Sequence, residues 1–384
     1  MKVLTVIDSL GFGGAERLLP TLAAAGPAAG LELVVASLEP QTAERSVMVP
    51  RLQAAGVAPR YLDVSRLAER GAVGRVADAI RRSGCDVVHA HLGTSSTLVP
   101  RAARRTGVPC FCTLHTLPEQ FGGRSLLRER LCVESAGRSN GLLFVSEAAR
   151  AAYAHRYRAR PSWRVVHNGI DLKTWAPGAG GFPEDLGLPW GVPVASIVAA
   201  LRAPKGHALA IAAWRSVLRR VPDAHLLIVG DGPEEPMLRR LAERTGVARH
   251  VVFAGRRDSE SETADIVRAS DVVLLPSYTE ALPTTLIEAA ACARPVVATD
   301  VGGTGEVVDH RRTGLLVPRG QIAALADAVS DLLVDEDRRR RMGLAARRHA
   351  ELHFDMHDWA ATLHDLYADA LEALAAPAVA GGLG

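Results

Sequence analysis

The chain has 384 residues, too many for one hydrophobic core, so two domains are expected. Apolar residues make up 48% and charged residues 23%, an ordinary globular balance, and a net charge of only +3 argues against nucleic acid as the main partner, since such domains carry a dense basic stripe. No apolar run approaches the ~20 residues that span a bilayer, and the opening MKVLTVIDSL meets a glycine turn without a cleavage region, so a cytoplasmic chain is expected.

Short apolar runs at 3–7, 33–38, 87–89, 110–114, 142–145 and 164–166 predict buried strands. Helical patterns at 16–25, 74–82, 98–106 and 125–136 lie between them, an alternation that implies parallel strands with crossover helices. Residues 171–192, DLKTWAPGAGGFPEDLGLPWGV, lack periodicity and read as a linker. The alternation restarts with strands at 194–199, 225–229, 251–254, 272–275, 296–299 and 314–317, and helices that include 205–220 and 284–291. Two helices, 335–351 and 357–374, close the chain before a tail, 375–384, that reads as frayed. The expected fold is α/β, two tandem Rossmann-like domains facing a cleft at their strand C-terminal ends. The boundaries are 1–170 for the N-terminal domain, 171–192 for the linker and 193–355 for the C-terminal domain; 356–384 holds a helix returning to the first domain plus the tail.

Five scattered cysteines make a disulfide framework a poor reading. Cys110 and Cys112 sit two apart in a strand and read as small buried hydrophobes rather than a metal site. Lysine occurs only at 2, 173 and 205 in a chain rich in arginine, which draws notice to Lys205. The acidic triplet Asp335-Glu336-Asp337 opens a helix and reads as its cap, and no His/Cys/Asp cluster has metal-ligand spacing, so no metal is expected. The basic stretches 101–105 and 124–130 read as solvated helix faces, with peripheral contact to a lipid surface as the alternative.

The strongest motif is PSYTEALPTTLIEAAACARPVVATDVGG, residues 276–303. The turn at 280–283 joins a strand to a helix starting at Thr284, and backbone N–H groups at such a helix start form a natural anion site. Glu280 reaches the site from the turn, and Glu288, eight residues on, faces it from the helix. A phosphate on the N–H groups with hydroxyls on the two carboxylates describes a bound sugar nucleotide.

This segment resembles the E-x7-E signature of retaining glycosyltransferases of family four, and the similarity extends over nearly the whole chain. The resemblance implies the two-domain GT-B architecture. It places Glu280 against the donor sugar, Glu288 on the ribose, and the backbone of Leu282, Pro283, Thr284 and Thr285 on the pyrophosphate and sugar. In ALRAPKGH, residues 200–207, Lys205 matches the family's phosphate-binding lysine, while Arg202 stands two positions beyond the family arginine, whose place Ala200 takes. GFGGAER, residues 11–17, matches the loop near the acceptor and the donor phosphate, which assigns Gly13, Gly14 and Glu16. Its glycine fingerprint is broken, because Glu16 stands where a dinucleotide-binding motif has its third glycine. HAH at 89–91 and TLHT at 113–116 place His91 and His115 beyond strand ends, His115 at the family's donor-sugar histidine, whereas His89 reads as a core histidine. VVHNGID at 165–171 marks the end of the N-terminal domain. GDGPEEPML at 230–238 brings Gly230 to the nucleotide, and VVFAGRR at 251–257 brings Gly255 and Arg256 to the base.

The reaction expected is retaining, metal-independent transfer of a sugar from a nucleoside diphosphate, a UDP-sugar as the first guess, to a hydroxyl. That acceptor is a glycolipid, a polysaccharide or a small natural product. Catalytic roles fall on His115, Lys205 and Glu280; the acceptor side takes Gly14, Glu16, His91 and His115. No cofactor is expected beyond the nucleotide-sugar co-substrate, and the oligomeric state is open. The alternative reading is a sugar-nucleotide epimerase of the same shape. A Rossmann oxidoreductase and a non-catalytic sugar-binding relative rank behind it.

Overall fold

The computed structural model describes residues 1–42, 46–118 and 122–375. Most of the tail read as frayed therefore lies outside the described residues. The chain divides into two units, Met1–Gly169 together with the chain from Met356 onward, and Ile170–Asp355.

The first unit holds strands β1 (Lys2–Ile7), β2 (Glu32–Ser37), β3 (Arg60–Tyr61), β4 (Val87–His91), β5 (Cys110–Leu114), β6 (Gly141–Phe144) and β7 (Trp163–Val165). They pair in parallel in the order β3-β2-β1-β4-β5-β6-β7. The two-residue β3 falls where the sequence shows no apolar run, because an edge pairing this short leaves no periodicity to read. β4 runs two residues further than the apolar pattern indicates and takes in both histidines, since His89 and His91 continue the ladder beside Thr5 and Ile7 of β1.

Both faces of this sheet are buried, as crossover helices require. Leu4 and Val6 of β1, Val88 and Ala90 of β4, and Cys110 and Cys112 of β5 pack into one core layer; the five cysteines are all free and buried. The alternate residues Val3, Ile7, Val87 and Phe111 face the other layer, whose helical cover includes Met356–Ala375. Trp359, Leu363 and Tyr367 of that helix are buried there, Leu366 and Leu371 pack against the layer, and Leu374 is exposed at 59%. The basic stretches lie on helices Gly93–Thr106 and Arg124–Ala136. Their arginines are exposed, as are Leu126 and Leu127.

The second unit holds β8 (Val194–Val198), β9 (His225–Val229), β10 (Val251–Gly255), β11 (Val272–Leu275), β12 (Val296–Thr299) and β13 (Gly314–Val317). These are also parallel, in the order β10-β9-β8-β11-β12-β13. Both sheets thus follow one doubly wound scheme, in which the strand order reverses direction between β1 and β4 and again between β8 and β11. Ligands of such sheets bind outside the strand C-termini at that reversal.

The Gly- and Pro-rich segment 171–192 is held against the second unit. Arg268 donates to the carbonyls of Thr174 at 3.1 Å and Ala176 at 3.2 Å, and Trp175 is 2% exposed. The acidic triplet caps its helix: Asp335 accepts from the Arg338 N–H at 2.8 Å and opens Glu336–His353.

Candidate functional site

In the second unit the strand order reverses where β8 and β11 lie side by side, and the two most informative motifs follow those two strands. After β8 the chain makes a short 3-10 turn, Ala203–Lys205, and only then starts the helix His207–Arg220. Lys205 therefore precedes the helix rather than opening it, because Gly206 sits at φ +70°, the left-handed region that interrupts helical backbone. A Cβ on Gly206 would lie 1.9 Å from the Pro276 carbonyl oxygen, so only glycine permits this approach. The approach is locked by the Tyr278 N–H, which donates to the Pro204 carbonyl at 2.8 Å.

That contact between loops brings the charges together. Lys205 Nζ lies 2.7 Å from Glu280 Oε1, with the carboxylate side chain 8% exposed and the ammonium side chain 34% exposed. The Glu280 carbonyl in turn accepts from the Gly303 N–H at 3.1 Å. Immediately afterwards the helix Thr284–Ala291 starts behind Pro283, and the N–H groups of Thr284 and Thr285 in its first turn have no i−4 carbonyl within the helix. Pro283 itself has no N–H to give. The Thr285 hydroxyl donates back to the Val198 carbonyl at the end of β8, at 3.1 Å, and ties the helix start to the reversal point. Leu282 and Glu288 are buried.

The remaining donor-side residues are placed as follows. Arg202 is exposed at the end of the β8 loop. Gly230 has φ +141° and approaches the Ala199 carbonyl so closely that a Cβ would lie 2.1 Å from its oxygen. Gly255 ends β10 at φ +69° in open space, and its carbonyl accepts from the Gly230 N–H at 2.9 Å. Arg256 is paired with Asp258 at 2.8 Å and Asp231 at 3.7 Å. His207 was not singled out in the sequence. It is 2% exposed, and burial first, then the Lys205 charge, lowers its pKa to about 4.

In the first unit the corresponding strand ends carry imidazoles and carboxylates. His91 Nδ1 lies 2.9 Å from His115 Nε2, with the rings stacked at 5.2 Å between centroids. His115 follows β5 and is half-buried, whereas His91 is the last residue of β4 and is 1% exposed. The sequence placed both beyond strand ends; the longer β4 ladder draws His91 inside, so it faces His115 rather than solvent. His89 is a satisfied core histidine, with Nδ1 2.5 Å from the Tyr367 hydroxyl and Nε2 2.7 Å from the Thr113 hydroxyl. Burial lowers the His115 pKa to about 4 and holds His91 well below the ordinary imidazole value.

Gly13 caps the helix Gly14–Ala25 with extended backbone, Gly14 is exposed, and the Glu16 carboxylate folds over Gly13. Asp8, just past β1, escaped the sequence reading because a single aspartate after a strand carries no pattern. It accepts from the N–H groups of Thr94 at 3.0 Å and Ser95 at 2.7 Å, at the start of the helix Gly93–Thr106. Burial raises the pKa of both Asp8 and Glu16 above the ordinary carboxylate value.

Two family models match the chain, one in each half. Residues 182–349 match the family described as "Glycosyl transferases group 1", and residues 12–174 match "Glycosyltransferase Family 4". An alpha-maltose-1-phosphate synthase of Mycolicibacterium smegmatis is 34% identical over 288 residues, covering 68% of this chain and 73% of that protein. A D-inositol 3-phosphate glycosyltransferase of Corynebacterium jeikeium is 36% identical over 215 residues, 53% of this chain, and the match spans about half of that relative, 51%. The fold is similar to that of the Anabaena protein HepE solved with UDP and glucose, at a TM-score of 0.81 and 22% identity, covering 96% of this chain and 100% of that one. It is also similar to a sucrose-phosphate synthase from Thermosynechococcus elongatus, at 0.79 and 22%, covering 97% and 100%.

Proposed function

The chain belongs to glycosyltransferase family 4, and from that premise we propose that it moves a sugar from a nucleoside-diphosphate donor, a UDP-sugar first, to a hydroxyl with retention of configuration. Its two parallel α/β units are the GT-B fold. The observation that carries the reading is the Lys205–Glu280 contact at 2.7 Å, next to the start of the helix Thr284–Ala291. A cation and a set of helix N–H groups suit a leaving diphosphate, whose charge grows as the glycosidic bond breaks. A carboxylate held beside them suits the hydroxyls of the sugar being transferred.

In this reading Lys205 and the N–H groups of Thr284 and Thr285 stabilise the diphosphate, with Arg202 secondary. Glu280 orients the sugar, Glu288 holds the ribose, and Gly230, Gly255 and Arg256 lie along the nucleotide. His115 binds the sugar, and Gly13, Gly14 and Glu16 serve the acceptor and the donor phosphate. The leaving phosphate takes the acceptor proton during front-face attack. Cationic side chains and helix N–H groups do what Mg²⁺ does elsewhere, so activity persists in EDTA. A cytoplasmic setting belongs to the same proposal and is supported by five free, buried cysteines; none of the described helices is long and apolar enough to cross a membrane.

The two relatives above are named for phosphorylated sugar or inositol chemistry, and HepE is solved with UDP and glucose. These support a UDP-sugar and make phosphorylated polyols the first acceptors to try. The test is a thermal-shift screen over UDP, GDP, TDP and ADP, in which the right nucleotide at ~100 times its Kd adds about 2.7 kcal/mol. Proton NMR of the transferred sugar's anomeric configuration follows. Absence of a shift with every nucleotide, or inverted product, would overturn the reading.

A further inference from the structure

The sequence sets His91 on the acceptor side, yet it is buried against His115, the histidine read as a sugar ligand. We propose that His91 is a positioning residue: its Nδ1–H donates to His115 Nε2 and thereby fixes His115 as the Nδ1–H tautomer, which presents a hydrogen-bond donor to a hydroxyl or phosphate oxygen of the substrate.

The argument is one of hydrogen-bond accounting. A neutral imidazole has one N–H donor and one acceptor nitrogen. The 2.9 Å contact between His91 Nδ1 and His115 Nε2 needs one of each. His91 Nε2 is buried and has no hydrogen-bond partner among the described residues. If His115 donated, His91 Nδ1 would accept and the His91 proton would sit on Nε2, a buried N–H with nothing to receive it. If His91 donates instead, its Nε2 is a bare lone pair. Orphaned buried donors are the rarer and costlier of the two, so the second arrangement wins.

The surroundings leave His91 little freedom. Burial and the neighbouring histidines keep the pair neutral, so a proton-bridged cation does not relieve the choice. His89, whose ring centroid lies 4.3 Å from that of His91, has both nitrogens engaged by the Tyr367 and Thr113 hydroxyls and does not take up the orphan. His91 is also the last residue of β4, with its backbone held in register between Ile7 and Thr113. The ring that sets the tautomer is therefore anchored in the sheet, while the ring it orients is half-buried at the strand end. The nitrogen protonated on one ring is set by the bond its other nitrogen makes.

The inference rests on the proposed role of His115 only for its consequence, and its primary test does not. Long-range ¹H–¹⁵N correlation spectra of the wild-type protein at neutral pH report the protonated nitrogen of each ring, with the His115 signals assigned by their loss in His115→Gln. Protonation of His115 at Nδ1, with Nε2 bare, is expected. Protonation at Nε2, or at both nitrogens, overturns the proposal. His91→Leu should move the His115 proton to Nε2 and weaken donor binding about tenfold, the effect of one lost neutral hydrogen bond. An unmoved proton in a folded His91→Leu protein would also overturn it. Titration with the identified donor separates the two ideas: if the tautomer is as stated but the His115 signals ignore the donor, the sugar-binding role fails and the positioning role stands.

Discussion

The two units share a topology and differ in electrostatics. Past β8 and β11 the second unit presents a lysine and a glutamate already in contact, flanked by a helix N-terminus. Past β1, β4 and β5 the first unit presents groups whose titration burial shifts: the pKa values of His91 and His115 are lowered, and those of Asp8 and Glu16 are raised. On the proposed reading, the second unit's cation and helix N–H groups meet the leaving diphosphate. On the same proposed reading, the first unit's buried imidazoles and carboxylates serve the sugar and the acceptor. The same fold thus carries two different sets of groups, and the difference lies in about half a dozen side chains at strand ends.

The comparison breaks most sharply at Lys205. If the second unit's cation works on developing charge, Lys205→Ala should lower kcat by ~10²–10³-fold and raise the donor KM less. The substitution also leaves the buried Glu280 carboxylate without its partner, so thermal unfolding of the variant must accompany the kinetics. A folded variant with unchanged kcat would remove the leaving-group role.

Glu288 gives the next largest effect. On the proposed reading its hydrogen bonds are to ribose, present in ground and transition states alike. Glu288→Ala should therefore cost the donor roughly 1.5–3 kcal/mol of affinity, seen in calorimetry, with little change in kcat. Unaltered affinity would sink the ribose assignment.

For the first unit the sharpest handle is pH. The folded-state pKa of His89 is lowered to about 3 by burial and then by the charge of His115. The unfolded chain takes up that proton below about 6.5 and the folded chain does not. Its stabilising contribution is therefore complete above 6.5 and is lost as pH falls towards 3, at up to about 1.4 kcal/mol per pH unit. Urea unfolding across this range should show a flatter acid limb for His89→Phe than for wild type. Asp8 and Glu16 act with the opposite sign, because a raised carboxylate binds its proton more readily in the folded state; they are common to both proteins and cancel. Parallel acid limbs would mean that His89 is hydrated and ordinary.

How much of this was legible in the sequence depends on whether a feature repeats locally. Strands such as β1 and β9 are continuous apolar runs because both sheet faces are covered, and a run can be read. Glu280 and Glu288 are legible because their spacing couples a turn to the helix that follows it. Tyr367 and Asp8 are not: each is a lone polar residue whose partner lies far along the chain, 278 residues in the case of His89. The two-residue end of β4 was missed for a related reason, since His-Ala-His breaks an apolar run although the parallel ladder continues through it. Lys205 could be picked out as a rare lysine beside a glycine. Its pairing with Glu280 could not, because it depends on the close approach of Gly206 to Pro276.

The smallest effect belongs to Arg202, and it tests whether proximity in sequence to Lys205 is enough. Arg202 stands two positions beyond the place where the family carries its arginine, and its side chain is exposed. Lys205, by contrast, is held by a carboxylate that is itself 92% covered, its side chain being 8% exposed. An exposed guanidinium interacts with a phosphate through water and counter-ions, and such contacts contribute about 0–1 kcal/mol. Arg202→Ala should therefore raise the donor KM by less than about sixfold, weaken further as salt is added, and leave kcat nearly unchanged. A kcat loss equal to or greater than that of Lys205→Ala in steady-state kinetics would make Arg202 the displaced equivalent of the arginine missing at Ala200. The charge that acts on the leaving group would then come from the exposed end of the loop rather than from the pair fixed by Gly206.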